Sequence, residues 1–182
     1  MLGLPPIRRI ITGHDDNGRA VIDDDCTFHP FDPRSVLPGA KSTPQSNNAA
    51  PPVRGFIHLW RTENAPAKIQ GPWTEYQNKA IPLSDATGTT VRVVDMSPGQ
   101  YSPMHRTASL DVGVVLKGAV VLELDDKTET TLKEGETIIQ RGTIHAWHNR
   151  TQEAARILFV LLPAEKVVVN GEELAPTIFD VN

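Results

Sequence analysis

Apolar and polar positions alternate with period two along much of this chain, and no segment keeps apolar residues at the 3.6-residue spacing of a long helix. Val53 to Thr62 is the first clear strand beyond the N-terminal region. Phe56, His58 and Trp60 share one of its faces, and Ile57 and Leu59 the other. From Thr89 onward the pattern tightens. Thr90 to Met96 reads as a strand, Ser97-Pro98-Gly99 as a turn, and strand-like runs follow at 110–117, 119–124, 129–132, 136–140, 144–148 and 155–162. Gly118, Asp125-Asp126, Glu134-Gly135 and Arg141-Gly142 separate most of them. Short, closely spaced strands with turn signals predict an all-β sandwich or barrel. The face turned from solvent is expected to carry Val91, Val93, Val115, Val121, Leu124, Ile157, Phe159 and Leu161.

The N-terminal region is organised differently. Ile7 to Thr12 and Arg19 to Ile22 flank the turn residues Gly13 to Gly18, which predicts a β-hairpin with His14 in its solvated turn. Residues 30–52 hold Pro30, Pro33, Pro38, Pro44, Pro51 and Pro52 among small polar residues, the composition of a long surface loop or of a lid over a site. Residues 63–88 are irregular, broken by Pro66, Pro72 and Pro82. The expected organisation is one domain: 1–88 contributes N-terminal strands and the proline-rich loop, 89–163 the barrel core, and 164–182 a C-terminal extension.

Composition narrows the function. At 182 residues with 39% hydrophobic and 22% charged positions, the chain is an ordinary globular domain with a buried core. The net charge of -4 and the absence of any Lys/Arg run argue against nucleic acid as a partner. Cys26 is the single cysteine, so an internal disulfide and a multi-cysteine zinc site are both excluded. It follows Asp23-Asp24-Asp25, whose negative charge disfavours a thiolate nucleophile. No stretch reaches the roughly 20 apolar residues of a membrane span. A cytoplasmic location and no membrane partner are expected.

The polar residues between 99 and 149 carry the chemistry. Gly99, five residues, His105-Arg106-Thr107, three residues, Asp111, six residues and Gly118 form one unit; Gly135 opens a second, which ends Gly142-Thr143-Ile144-His145-Ala146-Trp147-His148-Asn149. In spacing and order these units resemble the two motifs of the cupin superfamily, Gly, five residues, His-x-His, three or four residues, Glu, six residues, Gly, and a second ending Gly-x-x-His-x-x-x-Asn. The resemblance implies a single small cupin barrel, a double-stranded β-helix or jelly-roll, here with an N-terminal hairpin added. In the family three His and one Glu hold a divalent metal. Only His105 and His145 are retained; Thr107 stands at the second His, Asp111 at the Glu, and Gln140 where a Pro usually precedes the second motif's Gly.

The resemblance therefore implies a site of His105, Asp111 and His145, with Thr107 beside them. Two His and one carboxylate is also the set used by non-haem Fe(II) oxygenases, and three protein ligands suit catalytic zinc. Fe2+ or Zn2+ is the expected cofactor. Six residues of straight strand would put His105 and Asp111 about 20 Å apart at about 3.3 Å per residue, so the chain is expected to bend at Thr107-Ala108-Ser109. Trp147, sharing the parity of His145, is expected to face substrate, with Trp60 and Arg92 as walls and Tyr101 and Met104 at the mouth; His58 is a further candidate wall. His148 and Arg106 are expected to face away. The implied function is a metal-dependent oxygenase-type enzyme acting on a small aromatic or polyketide-like metabolite. The rivals are a non-redox lyase or isomerase, using the metal as Lewis acid or His145 and Asp111 as acid and base, and a binding module without catalysis. Open sheet edges suggest a homodimer.

Overall fold

The computed structural model describes residues 3–37 and 54–176. Apart from a single turn of 3-10 helix at Pro33–Val36, every regular element among them is a strand. The strands are β1 (Ile7–His14), β2 (Ala20–Phe28), β3 (Arg54–Arg61), β4 (Thr90–Met96), β5 (Ser109–Lys117), β6 (Ala119–Leu124), β7 (Glu129–Lys133), β8 (Thr137–Arg141), β9 (His145–His148), β10 (Ala155–Pro163), β11 (Val168–Val169) and β12 (Glu172–Glu173). No helix among the described residues is long and apolar enough to cross a membrane. Most of the proline-rich loop, residues 38–53, lies outside the described residues.

Two antiparallel sheets face each other. The larger runs β3-β4-β10-β5-β8 and the smaller β7-β6-β9. Residues 101–105 extend the smaller sheet past β9, through bridges from Tyr101 to His148 and from His105 to His145. Met96, Val115, Ala155 and Ile157 of the large sheet meet Val120, Leu122, Leu132 and Trp147 of the small one in a single apolar core. This is the barrel that the strand pattern and the spacing predict. Of the expected residues, Val115, Leu124, Ile157, Phe159 and Leu161 face the interior; Val91 and Val93 lie on the other face of β4, where Val93 is buried and Val91 partly so, and Val121 also departs. On β6 the inward residues are Val120, Leu122 and Leu124, so Val121 lies on the opposite face and is only partly buried. Gly118 at φ 74° makes the turn into β6, and a Cβ there would meet the Ala154 carbonyl at 3.0 Å, so the tight connection requires glycine.

Cross-strand register sorts the large sheet into an inner and an outer face. His58 pairs with Arg92, Arg92 with Phe159, and Phe159 with Gly113; Thr90 pairs with Leu161, Leu161 with Asp111, and Asp111 with Gln140. Directly opposed residues point the same way, so His58, Arg92, Asp111 and Gln140 share the interior face with the core residues Ile157 and Val115. One end of the barrel interior is therefore apolar and the other polar. The outer face carries Ile57, Val93 and Asp95. There Arg156 makes a buried two-toothed ion pair with Asp95 at 2.6 Å and donates to the Pro5 carbonyl, fastening the N-terminal segment to the sheet. The hairpin β1–β2 is held further by Arg9, which pairs with Asp24 and Glu75 and donates to the Leu59 carbonyl.

Candidate functional site

His105 and His145 are direct cross-strand partners. Each donates its backbone N–H to the other's carbonyl at 2.8 Å, the closely bonded pairing that sets two side chains on one face. Their rings consequently lie 4.2 Å apart, centroid to centroid. His105 Nδ1 lies 2.9 Å from the Pro103 carbonyl and His145 Nδ1 lies 3.0 Å from that of Thr143. A carbonyl only accepts, so each ring turns a protonated Nδ1 toward the backbone. Gln140, an interior residue of β8, sets its amide nitrogen against the His145 ring, in contact with Nδ1 and 2.8 Å from Nε2.

After His105 the chain leaves the small sheet, bends at Ala108 and enters the large sheet at Ser109. This is the bend that the separation of His105 and Asp111 requires. It leaves Asp111 buried between two hydroxyls: Thr107 donates to Oδ2 at 3.2 Å and Ser109 to Oδ1 at 2.5 Å. Burial raises the Asp111 carboxyl above the usual carboxylate range, against the opposing pull of those hydroxyls and of Arg92. Burial likewise lowers His105, and it lowers His145 to about 4 with the help of repulsion from His105. At neutral pH the interior thus holds two uncharged imidazoles and a carboxyl that gives up its proton reluctantly.

The trio His105, Asp111 and His145 is only partly assembled for a metal. The two imidazoles have the orientation a ligating histidine takes when a backbone carbonyl fixes its other nitrogen. Asp111, however, spends both oxygens on Thr107 and Ser109, and no group of three His, Cys, Asp or Glu placed to hold an ion is found among the described residues. Among the described residues the donor set does not complete a three-ligand cage.

The remaining expected residues divide. Arg92 is interior and buried, donating to the Pro82 and Leu83 carbonyls. Trp147 is interior but belongs to the apolar floor, edge-on to His145 and Phe159. Trp60 turns out of the barrel. A β-bulge between His58 and Trp60 breaks the alternation, so that Trp60 opposes Val91 and packs on Trp73 outside. Tyr101 is 64% exposed and stacks on His148, which binds Glu123 on the outside of the small sheet. Met104 is partly buried and out of phase with His105. Two interior residues carry more weight than the sequence indicated. Gln140 is marked there only by its departure from the motif and by its parity with Ile138. His58 is marked by standing at an apolar position of β3; it is buried, gives its Nδ1 proton to the Tyr76 carbonyl at 3.1 Å, and is lowered to about 4 by burial and by Arg92.

Comparison with known proteins agrees with this architecture. Residues 92–161 match the family described as Cupin domain. The chain is 34% identical over 178 residues to the cupin-domain-containing oxidoreductase fogC of Aspergillus ruber, covering 94% of this chain and 80% of that protein. It is 46% identical over 173 residues to phomopsin biosynthesis cluster protein C' of Diaporthe leptostromiformis, covering 91% and 83%. It is 31% identical over 179 residues to the cupin-domain-containing oxidoreductase virC of Hypocrea virens, covering 92% and 81%. With the barrel, both spaced motifs and relatives that match nearly the whole of this chain and about four fifths of their own length, the chain belongs to the cupin family.

Proposed function

We propose that this chain is an enzyme of secondary metabolism, of the oxidoreductase class its named relatives carry, acting on a small aromatic or polyketide-like molecule held in the polar end of the barrel. The observation that carries this reading is the pair of buried, neutral imidazoles of His105 and His145, both with Nδ1 tied to backbone carbonyls. Oxidation of a C–H or O–H group releases a proton, and an imidazole lone pair in a dry site is the group suited to take it. Asp111, whose proton affinity burial raises, is placed to exchange a proton or a hydrogen bond with a substrate oxygen, and Thr107 donates to its Oδ2. None of these side chains accepts electrons, so the two electrons go to dioxygen as co-substrate. Fe2+ or Zn2+ on His105, His145 and Asp111 is the metal form of this reading; an iron ion would supply the redox chemistry. It requires Asp111 to leave Thr107 and Ser109. The reading also includes a homodimer in the cytoplasm.

A non-redox proton-transfer enzyme is the second reading. The pairing of neutral bases with a carboxyl of raised pKa on the same interior surface favours it, since separated proton affinities are what acid–base catalysis uses. One set of measurements separates the readings. The purified protein is analysed for metals, titrated with Fe2+ and Zn2+, and incubated with a panel of small aromatic and polyketide-type carbonyl compounds in D2O. Net oxidation supports the first reading, and deuterium uptake or isomerisation without oxidation the second. His105→Ala and His145→Ala are each expected to lower turnover at least about 100-fold in a folded protein. Thr107→His, which adds a third imidazole, is expected to strengthen ion binding. Full turnover in both alanine variants would remove the histidine pair from the mechanism, and no ion binding by Thr107→His would remove the metal form.

A further inference from the structure

Two arginines are buried in the large sheet, and only one is fully answered. Arg156, on the outer face, has a carboxylate with two hydrogen bonds to it, a structural pairing that leaves nothing to spare. Arg92, on the inner face and 4% exposed, donates to two carbonyls through one nitrogen; among the described residues no carboxylate forms an ion pair with it, and its Nε–H has no partner. Its direct cross-strand neighbour His58, 3% exposed, has committed Nδ1 to Tyr76 and leaves Nε2 without a partner. A buried cation whose only nearby anion among the described residues, Asp111, attracts it without an ion pair, and a buried acceptor without a donor, are each costly. Here they stand side by side, about 5 Å apart at the backbone by the spacing of opposed strands. Phe31 and Phe56 pack edge-on against the His58 ring, and Phe56 also lies 5.6 Å beneath the Arg92 guanidinium.

We propose that Arg92 and His58 form a substrate-recognition subsite for a hydroxy acid, Arg92 Nε–H taking an anionic carboxylate oxygen and His58 Nε2 accepting from the adjacent hydroxyl, against the aromatic wall of Phe56. This rests on the reading that the barrel interior is where a small molecule is held, and it names that molecule's class. Arg92 and His58 are binding residues here. Proton transfer stays with His105, His145 and Asp111.

The test is equilibrium binding, which does not depend on turnover. Mandelate, which carries both groups on an aromatic body, is titrated calorimetrically against the full chain, beside phenylacetate, which lacks the hydroxyl, and methyl mandelate, which lacks the anion. Mandelate is expected to bind at least about 10-fold more tightly than either. Arg92→Gln should abolish the preference over the ester, and His58→Phe the preference over phenylacetate. Arg92→Lys, which keeps the charge without the fork, should retain part of the first preference. His145→Ala should bind mandelate like the parent even where it has lost turnover, so failure of the subsite and failure of the catalytic reading give different results. Equal binding of the three probes, no binding at millimolar concentration, or an unchanged preference in folded Arg92→Gln and His58→Phe would overturn the proposal.

Discussion

Gln140 shows how a single side chain sets the character of the site. Its amide nitrogen lies against the His145 ring, while its own Oε1 is buried with no partner. One hydrogen bond is gained and one acceptor is left desolvated, and the two contributions are of similar size. Gln140→Leu is therefore expected to change stability by less than about 1 kcal/mol in a urea titration. It should at the same time free His145 Nε2 and move that ring's titration, followed by NMR, upward from about 4. A loss of several kcal/mol would mean that the orphaned oxygen is bonded in solution. The resemblance to the cupin motifs picks out His105, Asp111 and His145; the two imidazoles lie together, while Asp111 is bonded to Thr107 and Ser109. Gln140 is not singled out, and His58 is read only as a candidate wall, because the sequence shows only that each sits on an alternating strand, and which face is inward depends on partners far along the chain. Trp60 was placed inside for a related reason: period-two counting runs straight through a bulge it cannot see.

The strands themselves were nearly all readable, since each is a short alternating run between turn residues, and observed and expected boundaries differ by a residue or two for most barrel strands. Pairing order was not readable. β10, late in the chain, is inserted between β4 and β5, and only the structure shows that this puts Phe159 between Arg92 and Gly113. β10 is tied to β4 on the outer face by Arg156 and Asp95, the latter fully buried. Removing one member of such a pair leaves a charge in an apolar setting. Arg156→Met is expected to cost about 3–5 kcal/mol, whereas a double replacement of both residues by apolar ones should recover most of it. Chemical denaturation of the two variants checks this, and a single variant as stable as the parent would show that water reaches Asp95.

At the scale of the whole molecule, the polar end of the barrel makes stability depend on pH. His58 and His145 titrate near 4 when folded and near 6.5 when unfolded. Between those values the unfolded chain binds more protons, so their stabilising effect is complete above about pH 6.5 and is lost as pH falls through about 4. At about 1.4 kcal/mol per pKa unit, each contributes about 3.5 kcal/mol across that window. Asp111 acts in the opposite sense: its pKa is raised on folding, so its cost grows as pH rises through its folded value and is absent in strong acid. The net expectation is a urea midpoint that climbs from pH 4 to 7, and a shallower climb in His58→Phe. A flat profile in the parent chain would show both rings to be solvated. The bulge in β3 bears on the molecule's history as much as on its shape. Leu59 is the inserted residue, and His58 faces Arg92 and Trp60 faces Val91 on either side of it. A chain lacking that one position would pair as a plain strand with both faces unchanged, so an alignment gap here leaves the chemistry untouched. What it removes is the carbonyl that receives Arg9, and with it one of the ties between the hairpin and the barrel.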